Sequence, residues 1–118
     1  MNVDSRTTGD IGENAAQGFL QGDGYAILKT KYWTPFGEID IIAQKDTYIV
    51  FVEVKYRKAV KGYYPREAVH RRKQKSIIQS AQYFIAENNI ADMDFRFDVI
   101  EILGKETLSI EHIQNAFE

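Results

Sequence analysis

The sequence predicts an α/β domain, a mixed β-sheet flanked by helices, with its elements in the order helix, strand, strand, strand, helix, strand. Three observations carry this expectation. Apolar residues recur at helical spacing near the start and again over residues 66–88. Between these stretches lie three strand-like runs separated by short polar turns, and strands joined that way pair antiparallel. A fourth run follows the second helix, and a strand that returns after a long helix can pair parallel through a crossover.

The elements follow in order. Residues 1–8 read as a loose leader ahead of one domain that takes up the rest of the 118 residues. Asp10 followed by Glu13 has the spacing of a capping box, and Ile11, Ala15 and Phe19 then mark a first helix over residues 10–21, ended by Gly22 and Gly24. Strands are expected at 25–33, 36–43 and 48–56. Thr34-Pro35 separates the first two, and the turn Gln44-Lys45-Asp46-Thr47 separates the last two. A looser stretch over 57–65 contains Gly62. The second helix carries Val69, Lys73, Ile77, Ala81 and Phe84 or Ile85 on one stripe, with Asn88-Asn89 as its stop. A fourth strand is expected at 95–103 and a short fifth at 107–110, with a helical turn or tail from 111.

Composition narrows the chemistry. Hydrophobic residues make up 44% of the chain, enough for a packed core. The absence of cysteine removes disulfides, thiolate-bound zinc, iron–sulfur clusters and thiol nucleophiles, and suits a reducing compartment. No run approaches ~18 uninterrupted apolar residues and none has signal-peptide character, so the expectation is a soluble cytoplasmic protein without a membrane partner. Net charge is −2, but between residues 55 and 75 stand Lys55, Arg57, Lys58, Lys61, Arg66, Arg71, Arg72, Lys73 and Lys75, with Glu67 the one acid among them. Such a stripe can hold phosphates, because screening keeps charge interactions local. It is equally the composition of a solvated helix face.

The second and third strands hold the informative pattern. Alternation places Ile39, Ile41 and Ala43 with Tyr48, Val50, Val52 and Val54 on one face, which reads as core. A four-residue turn would set Glu38 opposite Glu53, Asp40 opposite Phe51 and Phe36 opposite Lys55. Asp40 and Glu53 then become diagonal neighbours about 7–8 Å apart at Cα. Clustered carboxylates repel, and partly covered they need a cation. Lys55 supplies one charge. A divalent ion with all-oxygen ligands, Mg²⁺ or Mn²⁺, would supply the rest, with Lys55 placed to hold or help deprotonate a water beside a phosphate. A Glu-Val-Lys alternation is also common on strands that simply face water.

Gly12-Glu13-Asn14-Ala15-Ala16, Gly37-Glu38-Ile39-Asp40-Ile41-Ile42, Phe51-Val52-Glu53-Val54-Lys55-Tyr56-Arg57, Lys73, Ala81 and Phe97-Asp98-Val99-Ile100 together resemble the YraN-like family of small bacterial proteins. That family is similar in fold to archaeal Holliday junction resolvases. The match runs from about Gly9 to Ile102. The resemblance implies the restriction-endonuclease-like PD-(D/E)XK core, with Asp40, Glu53, Glu13 and the Val54 backbone carbonyl on the metal and Lys55 as the catalytic lysine. It also implies Mg²⁺-dependent hydrolysis of DNA, branched DNA included, and a two-fold dimer. Where the wider nuclease superfamily has proline before the aspartate, this chain has Ile39.

Other residues have two readings each. Glu13 is either a capping glutamate or a metal neighbour, and Glu38 either supports Glu53 or faces solvent. Lys73 either reaches the site or snorkels to water, and Gln74 is a weaker candidate for the same task. Arg57, Lys58, Arg71, Arg72, Lys73 and Lys75 are candidate phosphate contacts. Tyr63 and Tyr64 could wedge against bases or anchor a loop. His70 and His112 read as isolated, Asp98 as structural, and Trp33 as core or edge packing. Two further functions fit the same composition: a nucleic-acid-binding module without turnover, and a domain that serves a protein partner.

Overall fold

The computed structural model describes residues 5–57 and 69–118, with side chains from residue 10 onward. Helix α1 (Ser5–Gly22) leads into strands β1 (Ala26–Thr34), β2 (Gly37–Lys45) and β3 (Tyr48–Arg57). Helix α2 (Arg71–Glu87) and strands β4 (Asp94–Gly104) and β5 (Leu108–Phe117) complete the chain. The sheet runs β1-β2-β3-β4-β5. The β3–β4 pair is parallel and the other neighbours are antiparallel. The expected element order and mixed sheet are therefore present. Among the described residues no helix is long and apolar enough to cross a membrane.

The two helices cover opposite faces of the sheet. Ala16 and Leu20 of α1 pack on Ile41, Ala43, Val50, Val52, Ile100 and Ile102. Ile77, Ala81 and Phe84 of α2 pack on Ile39, Ile42, Ile49, Phe51, Val99 and Phe117. Both faces of the central strands are thus core, where alternation alone suggested one, and Tyr48 is exposed.

Several boundaries move for local reasons. Helix α1 starts at Ser5, so Asp10 lies inside it and cannot act as a cap; its carboxylate accepts from Lys31 Nζ at 2.7 Å. Helix α2 begins at Arg71 after an extended His70. Gln74 closes that end, its Nε2 donating to Val69 O at 2.8 Å. The other end stops as expected: Asn88 donates from Nδ2 to Phe84 O at 2.9 Å. The β2–β3 turn contains two residues, not four. Lys45 pairs with Tyr48, and Asp46 takes the left-handed φ of 54° that aspartate tolerates. The register therefore slips by two from the expected one, which keeps faces along the paired residues 41–45 and 48–52 but moves each partner, while Ile39 lies on the opposite face from the one expected.

The largest departure is at the C-terminal end. The short strand followed by a helical turn is replaced by ten residues of β5, paired from Gly104↔Leu108 to Phe97↔Phe117. The polar run Glu111-His112 concealed this strand, because its side chains are covered by partners on other elements.

Candidate functional site

The β2–β3 ladder runs from Lys45↔Tyr48 to Ile41↔Val52 and stops there. One step further stand Asp40 and Glu53, directly opposed rather than diagonal, with their side chains hydrogen-bonded to each other. The other contact of Asp40 explains why the ladder ends. Its Oδ2 accepts the Val54 N–H at 2.8 Å, in the place of a backbone partner. Alternation breaks at the same residue. Ile39 and Ile42 both join the core under α2, whereas Ile41 joins the core under α1. Opposite Asp40 in β1, Lys31 has a left-handed φ of 49°.

The Glu53 side chain is only 12% exposed. Burial, then the hydrogen bond and the charge of Asp40, push its carboxyl up to about 8 against the opposing pull of Lys73. Without a metal, Glu53 is thus mostly protonated at neutral pH and hydrogen-bonded to Asp40. Lys73 reaches the pair from α2, its Nζ 3.6 Å from Glu53 Oε2.

Glu13 comes from α1, which seats closely here because Gly12 backs onto Tyr56: a Cβ on that glycine would lie 2.7 Å from Tyr56 Cβ. Burial raises the Glu13 carboxyl, and the charge of Asp40 raises it further while Lys31 opposes. Glu38 is raised in the same way, by burial and then Asp40, with Lys73 and Lys31 opposing. Glu13, Glu38, Asp40, Glu53 and Lys73 therefore form one electrostatic cluster. Among the described residues, no three histidine, cysteine, aspartate or glutamate side chains come together as a group ready to hold a metal.

Lys55, two residues beyond Glu53, is paired in register with Glu101 of β4, which is paired in turn with Glu111 of β5. Glu101 is 3% exposed. Neither acid was singled out from the sequence, although the Glu that interrupts the apolar run Val99-Ile100-Glu101-Ile102-Leu103 was a signal. Arg57 is exposed at the end of β3 and donates to the Tyr56 carbonyl at 2.9 Å. Arg71, Arg72 and Lys73 line a groove of about 590 Å³ together with His70 and Ser76. Lys75 faces another flank of α2, in a hollow that it shares with Arg71, Gln79 and Glu118. Lys58, Tyr63 and Tyr64 lie outside the described residues.

Two single-residue expectations are overturned. His112 is not isolated: its Nε2 lies 2.6 Å from Asp98 Oδ2, an atom that also accepts from Arg96. Trp33 is not packed away but 73% exposed.

Lys73→Ala is expected to raise the Glu53 pKa above its value of about 8, because the ammonium lowers it. Carbon-detected NMR titration of the Glu53 carboxyl would show this. An unchanged or lower value would mean that Lys73 does not act on the pair.

A UPF0102 protein of Alkaliphilus metalliredigens is 45% identical to this chain over 114 residues, which are 96% of this chain and 99% of that protein. One from Clostridioides difficile is 44% identical over 115 residues, 98% of this chain and all of that one. Another, from Caldanaerobacter subterraneus, is 44% identical over 119 residues and 98% of each chain. Among solved structures, SfsA of Pyrococcus furiosus in complex with Ca²⁺ is similar at 15% identity and a TM-score of 0.42. That similarity covers 98% of this chain and 66% of the longer SfsA chain. The family described as Uncharacterised protein family UPF0102, the YraN family, matches residues 12–102, and the chain belongs to it.

Proposed function

We propose that the protein is a metal-dependent nuclease that hydrolyses phosphodiester bonds in DNA. The observation that carries this reading is the opposed Asp40–Glu53 pair where the β2–β3 ladder ends, with Lys73 at its edge. A protonated, largely covered Glu53 hydrogen-bonded to Asp40 is a site a hard cation can occupy by replacing that proton. Asp40 and Glu53 would hold Mg²⁺, with Glu13, on which the charge of Asp40 acts, and the Val54 carbonyl as further oxygen donors. A bound Mg²⁺ supplies Lewis acidity at the phosphate and a water of lowered pKa.

The chain's own residues have separate tasks. The Val54 N–H fixes the orientation of the Asp40 carboxylate. Lys55 extends from the strand position next but one to Glu53, where it orients the attacking water and offsets charge on the phosphate. Lys73 holds Glu53 and presents a cation to the substrate. Arg71 and Arg72 line the adjoining groove and neutralise phosphates, giving salt-dependent affinity with little sequence readout.

The test is a labelled panel of duplex, flap, four-way junction and single strand with Mg²⁺ or Mn²⁺. Cleavage is expected to stop in EDTA and to fall on the order of 10³-fold in Asp40→Ala and in Lys55→Ala. If both variants cut as well as the wild type, this assignment is wrong. DNA binding without cleavage would point instead to a nucleic-acid-binding module, and no binding at low salt to a protein-interaction domain.

A further inference from the structure

We propose that Trp33 is a stacking platform for an unpaired base next to the scissile phosphate, so that the preferred substrate has single-stranded character at the cut. This deepens the nuclease reading and rests on it for the position of the phosphate. Trp33 is 73% exposed and Phe36, across the turn from it, is 48% exposed. Phe36 lies edge-on to Tyr83 of α2, whereas Trp33 belongs to neither core cluster, and a large rigid aromatic left in water on a hairpin tip is suited to a contact.

The tip that carries them is rigid. Thr34 Oγ1 accepts the Phe36 N–H at 3.0 Å and lies 2.8 Å from Ser80 Oγ. Ser76 Oγ donates to Phe36 O at 2.6 Å. Gly37 has a φ of 144°, and a Cβ there would run into Ser76 Oγ. The hairpin is therefore clamped to α2 and presents Trp33 in a set place, so little ordering entropy is lost when a base lands on it.

Position selects the partner. Trp33 pairs with Glu38, two residues before Asp40, which places its backbone about 8 Å from that of Asp40 by strand geometry. Ser76, which clamps the tip, also lines the groove of His70, Arg71, Arg72 and Lys73. Lys73 of that groove also reaches Glu53, while Tyr32 and Thr34 face α2 and Trp33 projects from the opposite face of β1. A cationic groove on one side of the paired carboxylates and an exposed ring on the other match a strand of nucleic acid that crosses the end of the sheet, with phosphates in the groove and a base on the ring. A base inside a duplex has both faces covered by its neighbours. Only an unpaired base offers one to Trp33.

Trp33 is the one tryptophan of the chain, so its fluorescence reports stacking directly. The wild-type protein in EDTA is titrated with a dT oligonucleotide, an abasic oligonucleotide of the same length and a blunt duplex. The dT strand is expected to quench the emission and the abasic strand and duplex to leave it unchanged. Trp33→Ala is expected to weaken dT binding roughly tenfold, with Trp33→Phe restoring most of it and duplex binding unaltered. Equal quenching by the abasic strand, or dT affinity unchanged in Trp33→Ala, overturns the proposal. So does self-association that depends on Trp33 while DNA affinity does not. Quenching and loss in Trp33→Ala without any Mg²⁺-dependent cleavage would uphold stacking and reject the nuclease reading. Cleavage whose ratio of single strand to duplex is the same in wild type and Trp33→Ala would do the reverse.

Discussion

Asp98→Ala is expected to cost the fold about 3–5 kcal/mol. The carboxylate has no exposed surface. Its Oδ1 accepts from Arg96 Nε and from the Asn115 N–H, both at 2.9 Å. Its Oδ2 accepts from Arg96 Nη2 at 2.9 Å and lies 2.6 Å from His112 Nε2. These bonds fasten β5 to β4 where the pairing shifts between Phe97 and Val99. Deletion would leave the Arg96 guanidinium, whose side chain is 14% exposed, without its counter-charge. Leaving a charge buried and unpaired is what makes breaking such a network expensive, whatever the intact pair contributes.

Urea denaturation of wild type and variant measures the difference, and a loss below about 1 kcal/mol would show that the network is dispensable. Burial by itself would raise the Asp98 pKa, but the bonds from His112, Arg96 and the Asn115 N–H outweigh it and bring the pKa below its ordinary value of 3.8. The stabilisation is thus present above the unfolded pKa and is lost as pH falls through the lower folded value. The wild-type protein should lose this part of its stability only below about pH 4, and the variant should lack that part of the acid limb.

Glu53 should produce the opposite pH dependence. Its folded carboxyl is pushed up to about 8 from 4.5, so the folded chain binds more protons than the unfolded chain throughout that window. Its contribution to stability is complete below about 4.5 and is lost as pH rises through about 8. In EDTA, the protein is therefore expected to weaken between pH 5 and pH 9, and Glu53→Gln, which mimics the protonated carboxyl, should remove that slope. On the proposed reading Mg²⁺ would have to displace the same proton. Its affinity should rise about tenfold per pH unit until about pH 8 and then level off, while Glu53→Gln should bind it far more weakly. Calorimetric titration at pH 6, 7 and 8 tests both statements. Affinity independent of pH would mean that the cation does not bind at this pair.

Much of this architecture is legible in the sequence. Helix periodicity and strand alternation are local properties, so the two helices, the β1–β2 and β2–β3 hairpins and the parallel return of β4 could be read from the residues. The placing of Asp40, Glu53 and Lys55 near one end of adjacent strands rested on the same alternation. Asp40 and Glu53 still meet because a slip of two residues preserves faces along the paired strands, although in β2 the alternation itself breaks at Asp40.

The remainder depended on partners distant in sequence. Tertiary structure alone decided that Asp10 serves Lys31 rather than a helix cap, and that Asp40 spends one oxygen on the Val54 N–H and so ends the ladder at the site. It alone joined Asp98 to His112 and Arg96, and left Trp33 in water on a clamped tip. None of these contacts leaves a periodic trace, because each is set by which elements stack and how closely, as where Gly12 admits Tyr56 and Gly37 admits Ser76. Sequence by itself determined the elements and the side-chain chemistry available at one end of the sheet. Packing decided which carboxyl keeps its proton, which cation reaches it and which aromatic stays exposed on the neighbouring hairpin, because burial and distance, not residue type, set the energies of those contacts.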